Sequence, residues 1–215
     1  RAACRKRIES MRSGGIFQPP SVEGTVAYPG FIGGMEWGGV AFDPDTHLLV
    51  TNTNRLAMAA TLIPREEADA APAPGEGAKF SVAGQAGTPY AVKREPLLSP
   101  LGIPCSSPPW GMLHAVDMRT GEVAWEVPLG TTADLAPFGI ALPLGTPNMG
   151  GPLATGGGVV FIGASMDSRL RAFDAATGQA LWEAELPAGG QATPMTYRVR
   201  DGGRQLVVIA AGGHT

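Results

Sequence analysis

The sequence reads LHAVDMRTGEVAWE from Leu113 to Glu126 and LRAFDAATGQALWE from Leu170 to Glu183. The second copy lies 57 residues after the first, and seven of the fourteen aligned positions are identical without a gap: Leu, Ala, Asp, Thr, Gly, Trp and Glu. Each copy alternates apolar and polar residues on both sides of a tight turn, which is the pattern of a β-hairpin. Asp117 and Asp174 can accept backbone N–H bonds at that turn. Gly121 and Gly178 can take the positive φ that a bulged hairpin turn demands. Trp125 and Trp182 follow four residues after those glycines. A buried Trp brings about 150–250 Å² of contact and seeks a partner for its N–H. The same Trp in two successive units therefore predicts a lock between neighbours.

Residues 149–187 hold four strand-sized runs separated by turn signals, and the last two are the second copy of the repeat. Four short strands per unit at a period above forty residues is the signature of propeller blades. One such sheet cannot bury both faces, so successive sheets must pack on one another. Residues 188–215 begin another unit: a strand, the turn Asp-Gly-Gly, and an apolar strand. Upstream, EWGGVAFDP and HLLVTNTN read as two strands joined by a turn at Asp43–Thr46, where Pro44 presets φ. Residues 64–109 carry nine of the twenty prolines and read as a long irregular insert. AACRKRIESMR, residues 2–12, predicts a short helix with Ile8 and Met11 on one face. The fold class is all-β.

Charged residues are only 16% of the 215, and the net charge is −3 with no basic stripe. That argues against a nucleic-acid partner, because nothing is arranged to neutralise phosphates. Apolar residues, at 44%, suffice for a core. No run approaches the ~20 apolar residues of a membrane span, and no signal peptide is evident. The chain starts at RAACRKRIES without Met and stops after an apolar run. It reads as a piece of a longer protein. Its two cysteines, Cys4 and Cys105, could be a bridge or two free thiols; counting does not separate these.

The pattern A-x-D-x-x-T-G-x-x-x-W resembles the tryptophan-docking motif of the quinoprotein dehydrogenases, eight-bladed propellers that hold pyrroloquinoline quinone (PQQ). GIFQPPSVEGT, PGFIGGMEWGGVAFDP, GIPCSSPPWG, NMGGPLATGGGVVFIGASMDSRLRAFDAATGQALW and LPAGGQATPMTY…LVVIAAGGH resemble the C-terminal part of the membrane-bound enzymes of the glucose and quinate type. The resemblance implies a partial eight-bladed β-propeller, about two and a half blades long, with residues 1–215 as its C-terminal fragment. These would be an incomplete blade holding the insert at 64–109, a complete blade at 149–187 and a partial blade at 188–215.

In that family a carboxylate acts as general base and Ca²⁺ polarises the quinone. No motif here matches the base or the calcium ligands, which the resemblance places in an earlier blade. No catalytic or metal residue is therefore assigned, and the fragment alone is expected to be inactive. Five residues are candidates for the cofactor site. Asn52 matches a position whose amide meets the quinone; the competing reading is a turn cap. Asp167 matches an acidic position of the glucose enzymes, against an ordinary turn Asp at the surface. His214 and Gly213, after an apolar strand, could meet PQQ or a sugar hydroxyl. Trp37 could face the cofactor or fill the blade core, and core is the more common fate of a strand Trp. Gly38 and Gly39 fit close approach of something flat, and the same two readings apply to residues 148–151. His47 and His114 read as surface or strand residues.

The implied substrate is a sugar or polyol. Quinate, shikimate or another alcohol is the alternative, and a non-catalytic propeller scaffold is the reading from a different class. The implied electron acceptor is ubiquinone. The implied location is the periplasmic side of the bacterial inner membrane, with an anchor in an N-terminal segment outside this chain. In that oxidising space Cys4 and Cys105 could form a bridge pinning the insert to the start of the chain.

Overall fold

A computed structural model of the chain describes residues 1–70, 75, 80–134 and 139–212. The chain divides into two compact units, one of residues 1–31 and 55–107, the other of residues 32–54 and 108–215.

The second unit carries the repeat. Its first sheet has the order β2-β3-β7-β8, with β2 Met35–Asp43, β3 Leu48–Asn54, β7 Gly111–Asp117 and β8 Glu122–Pro128. Its next sheet has the order β9-β10-β11-β12, with β9 Leu153–Thr155, β10 Val159–Ile162, β11 Arg169–Asp174 and β12 Ala180–Glu185. A third holds β13 Met195–Arg198 and β14 Gln205–Val208. All neighbours within these sheets run antiparallel. Two four-stranded blades and two strands of another make the expected two and a half. The first blade, expected to be incomplete, has all four strands. The chain leaves it after β3 and returns to it at β7, so its strands are distant in sequence yet adjacent in the sheet.

The two hairpins of the repeat form as their residues require. Asp117 Oδ1 accepts the Arg119 N–H at 2.9 Å, and Asp174 Oδ1 accepts those of Ala176 and Thr177 at 3.1 and 2.9 Å. Gly121 and Gly178 have φ of 76° and 71°. Both hairpins carry the register shift of a bulge at the same place, between Ala115 and Val116 and between Ala172 and Phe173. Trp125 is buried, and its indole N–H donates to the Ala175 carbonyl of the next blade at 3.0 Å. The predicted lock between blades is therefore present at Trp125. Trp182, expected to do the same, is half exposed. The partner such a lock uses is the hairpin of the following blade's last two strands, and β13 and β14 are the first two.

The core of this unit lies between the two complete blades. Leu48, Val50, Leu113, Ala115 and Trp125 of the first meet Val160, Ile162, Phe173 and Ala175 of the second, with Leu129 and Ala164. The repeated Glu also has a partner in each blade. Glu126 approaches His114 Nδ1 at 3.4 Å, and Glu183 approaches Arg171 Nε at 3.3 Å. His114 is thus a buried strand residue and not a surface one.

The first unit contains α1 Ala2–Glu9, α2 Arg65–Ala70 and a sheet of order β1-β4-β6-β5, with β1 Thr25–Ala27, β4 Met58–Pro64, β6 Tyr90–Pro96 and β5 Ser81–Gly84. The segment 64–109 was expected to be irregular, and this corrects that reading. Pro64 and Pro96 close β4 and β6, where a missing N–H costs little. The runs SVAG and YAVKRE between them are free to pair. Cys4 and Cys105 are joined by a disulfide. It fastens α1 beside a small cluster of Ala57, Ala59 and Leu97, against which Ile8, Met11, Val26 and Cys105 pack.

Candidate functional site

Asn52, Asp167 and Trp37 gather along the seam between the two complete blades of the second unit. β2, an edge strand of its sheet, is strongly bulged there: Met35 pairs with Thr53 and Val40 with Thr51, leaving Glu36–Gly39 opposite Asn52 alone. A bulge breaks the ladder and re-aims side chains, a common device beside binding sites. Gly39 has φ of 77°. Trp37, within the bulge, is 69% exposed. Its ring is not buried against the described residues of this unit, and Met35, Val40 and Phe42 of the same strand are exposed as well. Burial pushes the carboxyl of neighbouring Glu36 above its ordinary pKa, opposed by a bond from the Trp37 backbone.

Gly38 and Gly39 were expected to admit something flat. Gly38 instead admits backbone: a Cβ placed on it would lie 2.0 Å from the Gly150 carbonyl carbon, so β2 meets there the segment that leads into the next blade. Residues 146–151 run along this seam. Asn52 donates from Nδ2 to Asn148 Oδ1 at 2.6 Å and to the Gly150 carbonyl at 3.1 Å. Asn148 donates from its own amide to the carbonyls of Thr53 and Thr146 at 3.1 and 3.4 Å. Asn54 closes the arrangement, accepting the Asn148 N–H at 2.8 Å and donating to the Asn148 carbonyl at 2.8 Å. These amides can be oriented in one way only, since a flip of Asn52 would set its oxygen against two acceptors. Asn52 Oδ1 is buried and has no partner among the described residues. Asn52 therefore does not cap a turn. It joins the blades and keeps one unsatisfied acceptor beside the bulge that carries Trp37.

Asp167 lies on the other side of the same segment, which pairs with Ser165 through Asn148. Asp167 is 1% exposed, so the surface-turn reading fails. Its Oδ1 accepts from Ser165 Oγ at 2.7 Å and Arg171 Nη1 at 2.9 Å. Its Oδ2 accepts from the Thr131 N–H at 2.7 Å, Thr131 Oγ1 at 3.1 Å and Arg171 Nη2. Burial pushes the carboxyl up, but the hydrogen bonds from Arg171 and Ser165 and the Arg171 charge outweigh it, and the pKa lies below the ordinary value. Its lone pairs are committed to protein donors. A direct bond to a ligand would have to displace one of them.

Gly213 and His214 lie outside the described residues. Among the described residues no three His, Cys, Asp or Glu side chains come together as metal ligands. Asn54, Ser165, Arg171 and Thr131 were not anticipated. Two asparagines two residues apart in an apolar strand, and a basic residue where the aligned repeat has His114, are the signals that mark them.

An exposed indole suits the face of a fused-ring cofactor, and the orphaned Asn52 oxygen is a polar atom awaiting a partner. The donor set thus fits a flat, polar aromatic group at Trp37, with Asn52 and Asp167 as its supports. Comparison with known proteins agrees. The chain is 44% identical over 219 residues to the quinoprotein glucose dehydrogenase of Escherichia coli (strain K12), covering 98% of this chain and 27% of that protein. It is 43% identical over 218 residues to the quinate/shikimate dehydrogenase (quinone) of Acinetobacter baylyi, with coverage of 98% and 27%. It spans about a quarter of the length of these relatives. Its structure is similar to quinohemoprotein alcohol dehydrogenase from Comamonas testosteroni, with a TM-score of 0.58 and 31% identity over 88% of this chain and 24% of that one. Residues 1–207 match the PQQ family, "Glucose/ethanol/alcohol dehydrogenase, beta-propeller domain", and the chain belongs to that family.

Proposed function

We propose that this chain forms one wall of the PQQ site in a dehydrogenase that oxidises a CH–OH group of a sugar, a polyol or quinate. The observation that carries this reading is the bulge opposite Asn52, in which Trp37 stands exposed, in a chain of the PQQ propeller family. When bound, the quinone supplies a two-electron acceptor for the hydride of the CH–OH carbon.

The residues here bind and orient. Trp37 offers an aromatic face on which a fused ring stacks. Asn52, Asn148 and Gly150 fix the backbone behind it, and the Asn52 oxygen gives that wall an acceptor. Asp167 holds the strand segment in place through Thr131 and Ser165. Its five donors and lowered pKa make it a poor proton acceptor, so the base for the substrate hydroxyl is sought in blades outside this chain. The same reading has Ca²⁺ beside the quinone, held by residues elsewhere, and ubiquinone as electron acceptor. It also puts the protein on the periplasmic side of the inner membrane.

Titration of the full-length protein with PQQ and Ca²⁺, followed by absorbance and by dye reduction with glucose, glycerol and quinate, tests the reading. A quinone spectral change and turnover of at least one substrate are expected. Trp37→Ala should weaken PQQ binding at least tenfold with unchanged circular dichroism. No spectral change and no dye reduction with any of the three would overturn the reading in favour of a scaffold.

A further inference from the structure

The second unit buries an ion pair that the blade repeat does not call for. The side chains of Asp167 and Arg171 are 0% and 7% exposed. With the two copies of the repeat aligned, Arg171 falls on His114 and Asp167 on Trp110. The first blade closes its four-stranded sheet without a carboxylate at that place. A buried pair is also weak evidence for stability, since apolar side chains of similar volume hold a core as well. The pair therefore answers a need of this blade that is not architectural.

The five donors to Asp167 all come from this chain, and its side chain has no exposed surface left for other blades to cover. Arg171 Nη1 also donates to Ser165 Oγ at 2.8 Å. Few charges face the carboxyl. β11 brings Arg171, and β12 brings Glu183 on the far side of that guanidinium, 3.3 Å from Nε. The segment after β8 brings Thr131 and, three residues on, the exposed Asp134, while residues 146–149 bring no charge. Burial works to raise the Asp167 pKa, and Arg171 and Ser165 bring it below the ordinary value. The pair lies against the segment behind the cofactor wall. Met149 N–H donates to the Ala164 carbonyl at 2.9 Å, Met166 N–H donates to the Pro147 carbonyl at 3.3 Å, and Asn148 bridges to Ser165. Asn148 is the residue that holds Asn52.

We propose that Arg171 is a positioning residue of the cofactor wall: it cancels the charge of Asp167 and fixes the contact between Ser165 and Asn148, so that an anionic quinone is accepted beside Asn52 and Trp37. PQQ carries carboxylates, and a net negative charge inside the wall would repel them, because protein screens a buried charge far less than water does. A guanidinium does not titrate, so the wall stays neutral at every working pH. A histidine or lysine there would give up that constancy. The inference deepens the cofactor reading above and rests on it.

The test uses the full-length protein that carries this chain, with affinity for PQQ read by equilibrium dialysis at fixed Ca²⁺ between about pH 5.5 and 8.5. Arg171→His puts there the residue type that the first copy of the repeat carries. Its imidazolium still cancels Asp167 at the acid end and loses its proton as pH climbs above about 6.5, leaving one negative charge. Affinity should match the parent at the acid end and fall about tenfold below it at the alkaline end. Arg171→Met should show the same slope through Asp167 itself, whose unpaired carboxyl is neutral at low pH and ionised at high pH. The double variant Asp167→Asn/Arg171→Met carries no charge there and should run parallel to the parent. A deficit of Arg171→His and Arg171→Met that is equal at every pH overturns the proposal and leaves Arg171 a purely structural residue. A double variant with the same slope as the single ones overturns it too. A parent that binds no PQQ overturns this inference together with the cofactor reading, whereas a binding parent with flat variant profiles overturns this inference alone.

Discussion

The indole N–H of Trp125 donates to the carbonyl of Ala175 at 3.0 Å, and the ring lies so close to Gly178 that a Cβ there would sit 2.5 Å from Cε3. The Trp of one hairpin thus docks on the glycine turn of the next, and both motif residues serve one contact. Gly178→Ala should therefore cost more than Gly121→Ala. The second suffers only the left-handed backbone, about 1–2 kcal/mol, since none of the described residues lies within 4 Å of a Cβ at Gly121. The first adds overpacking against Trp125, about 1–3 kcal/mol more. Urea unfolding of both variants checks this; equal midpoints would mean that the ring does not rest on the turn.

Asp167→Asn should be among the more damaging single substitutions in the second unit. It leaves the Arg171 guanidinium, 7% exposed, without its main counter-charge. Breaking a buried pair from one side costs about 3–5 kcal/mol. Combining it with Arg171→Met removes the stranded charge and should recover part of the loss. A double variant less stable than Asp167→Asn alone would show that Arg171 is held by Glu183 and not by Asp167.

The turn aspartates should make the fold acid-sensitive. Hydrogen bonds from Arg119 hold Asp117 down to about 2, and bonds from Thr177 and Thr46 lower Asp174 and Asp43. Asp167 is lowered as well. A carboxyl with a depressed folded-state pKa contributes stability above its unfolded value, near 3.9. That contribution is lost as pH falls through the folded pKa. Urea midpoints should hold steady from pH 7 to about 5 and then fall toward pH 2. Asp117→Asn should flatten the lowest part of that curve, and an unchanged curve would count against the turn's bond to Arg119.

The repeat made the blade hairpins legible before any coordinates, down to the φ of two glycines, because turn chemistry is local. Two things were not legible. The strands of 64–109 were hidden by prolines, since proline density reports where pairing stops and not what pairs between the stops. The site was only half visible. Asn52 and Asp167 were located, but their partners Asn148, Thr131 and Arg171 come from segments 36 or more residues away or from an unremarkable strand. Trp37 stands in a bulge whose register only the paired strand reveals.

Reducing Cys4–Cys105 should loosen the first unit. The bridge spans 101 residues, and in the chain-entropy model such a closure is worth roughly 4–5 kcal/mol. Hydrogen exchange at β4 and β6 in the oxidised and reduced protein measures the effect. Faster exchange there after reduction is expected, and identical protection would show that the cluster around Leu97 holds α1 without the bridge.

Asn148→Asp should uncouple the seam in a pH-dependent way. The Asn148 amide, fully buried, faces the carbonyls of Thr53 and Thr146 with N–H groups, while its oxygen receives Asn52. A carboxylate would turn acceptors toward two carbonyls and bury a charge among them. The neutral acid, which keeps one donor, is the form that fits, so its folded pKa would be raised. A raised carboxyl pKa carries its stabilising share below the unfolded value near 3.9 and loses it as pH climbs through the folded value. The deficit of this variant relative to the parent should be small near pH 4 and grow toward pH 7, opposite in sign to the acid sensitivity of the turn aspartates. Urea midpoints at the two pH values decide it. A deficit equal at both would mean that the Asn148 amide is not clasped between the blades, and the wall proposed for the cofactor would lose its support.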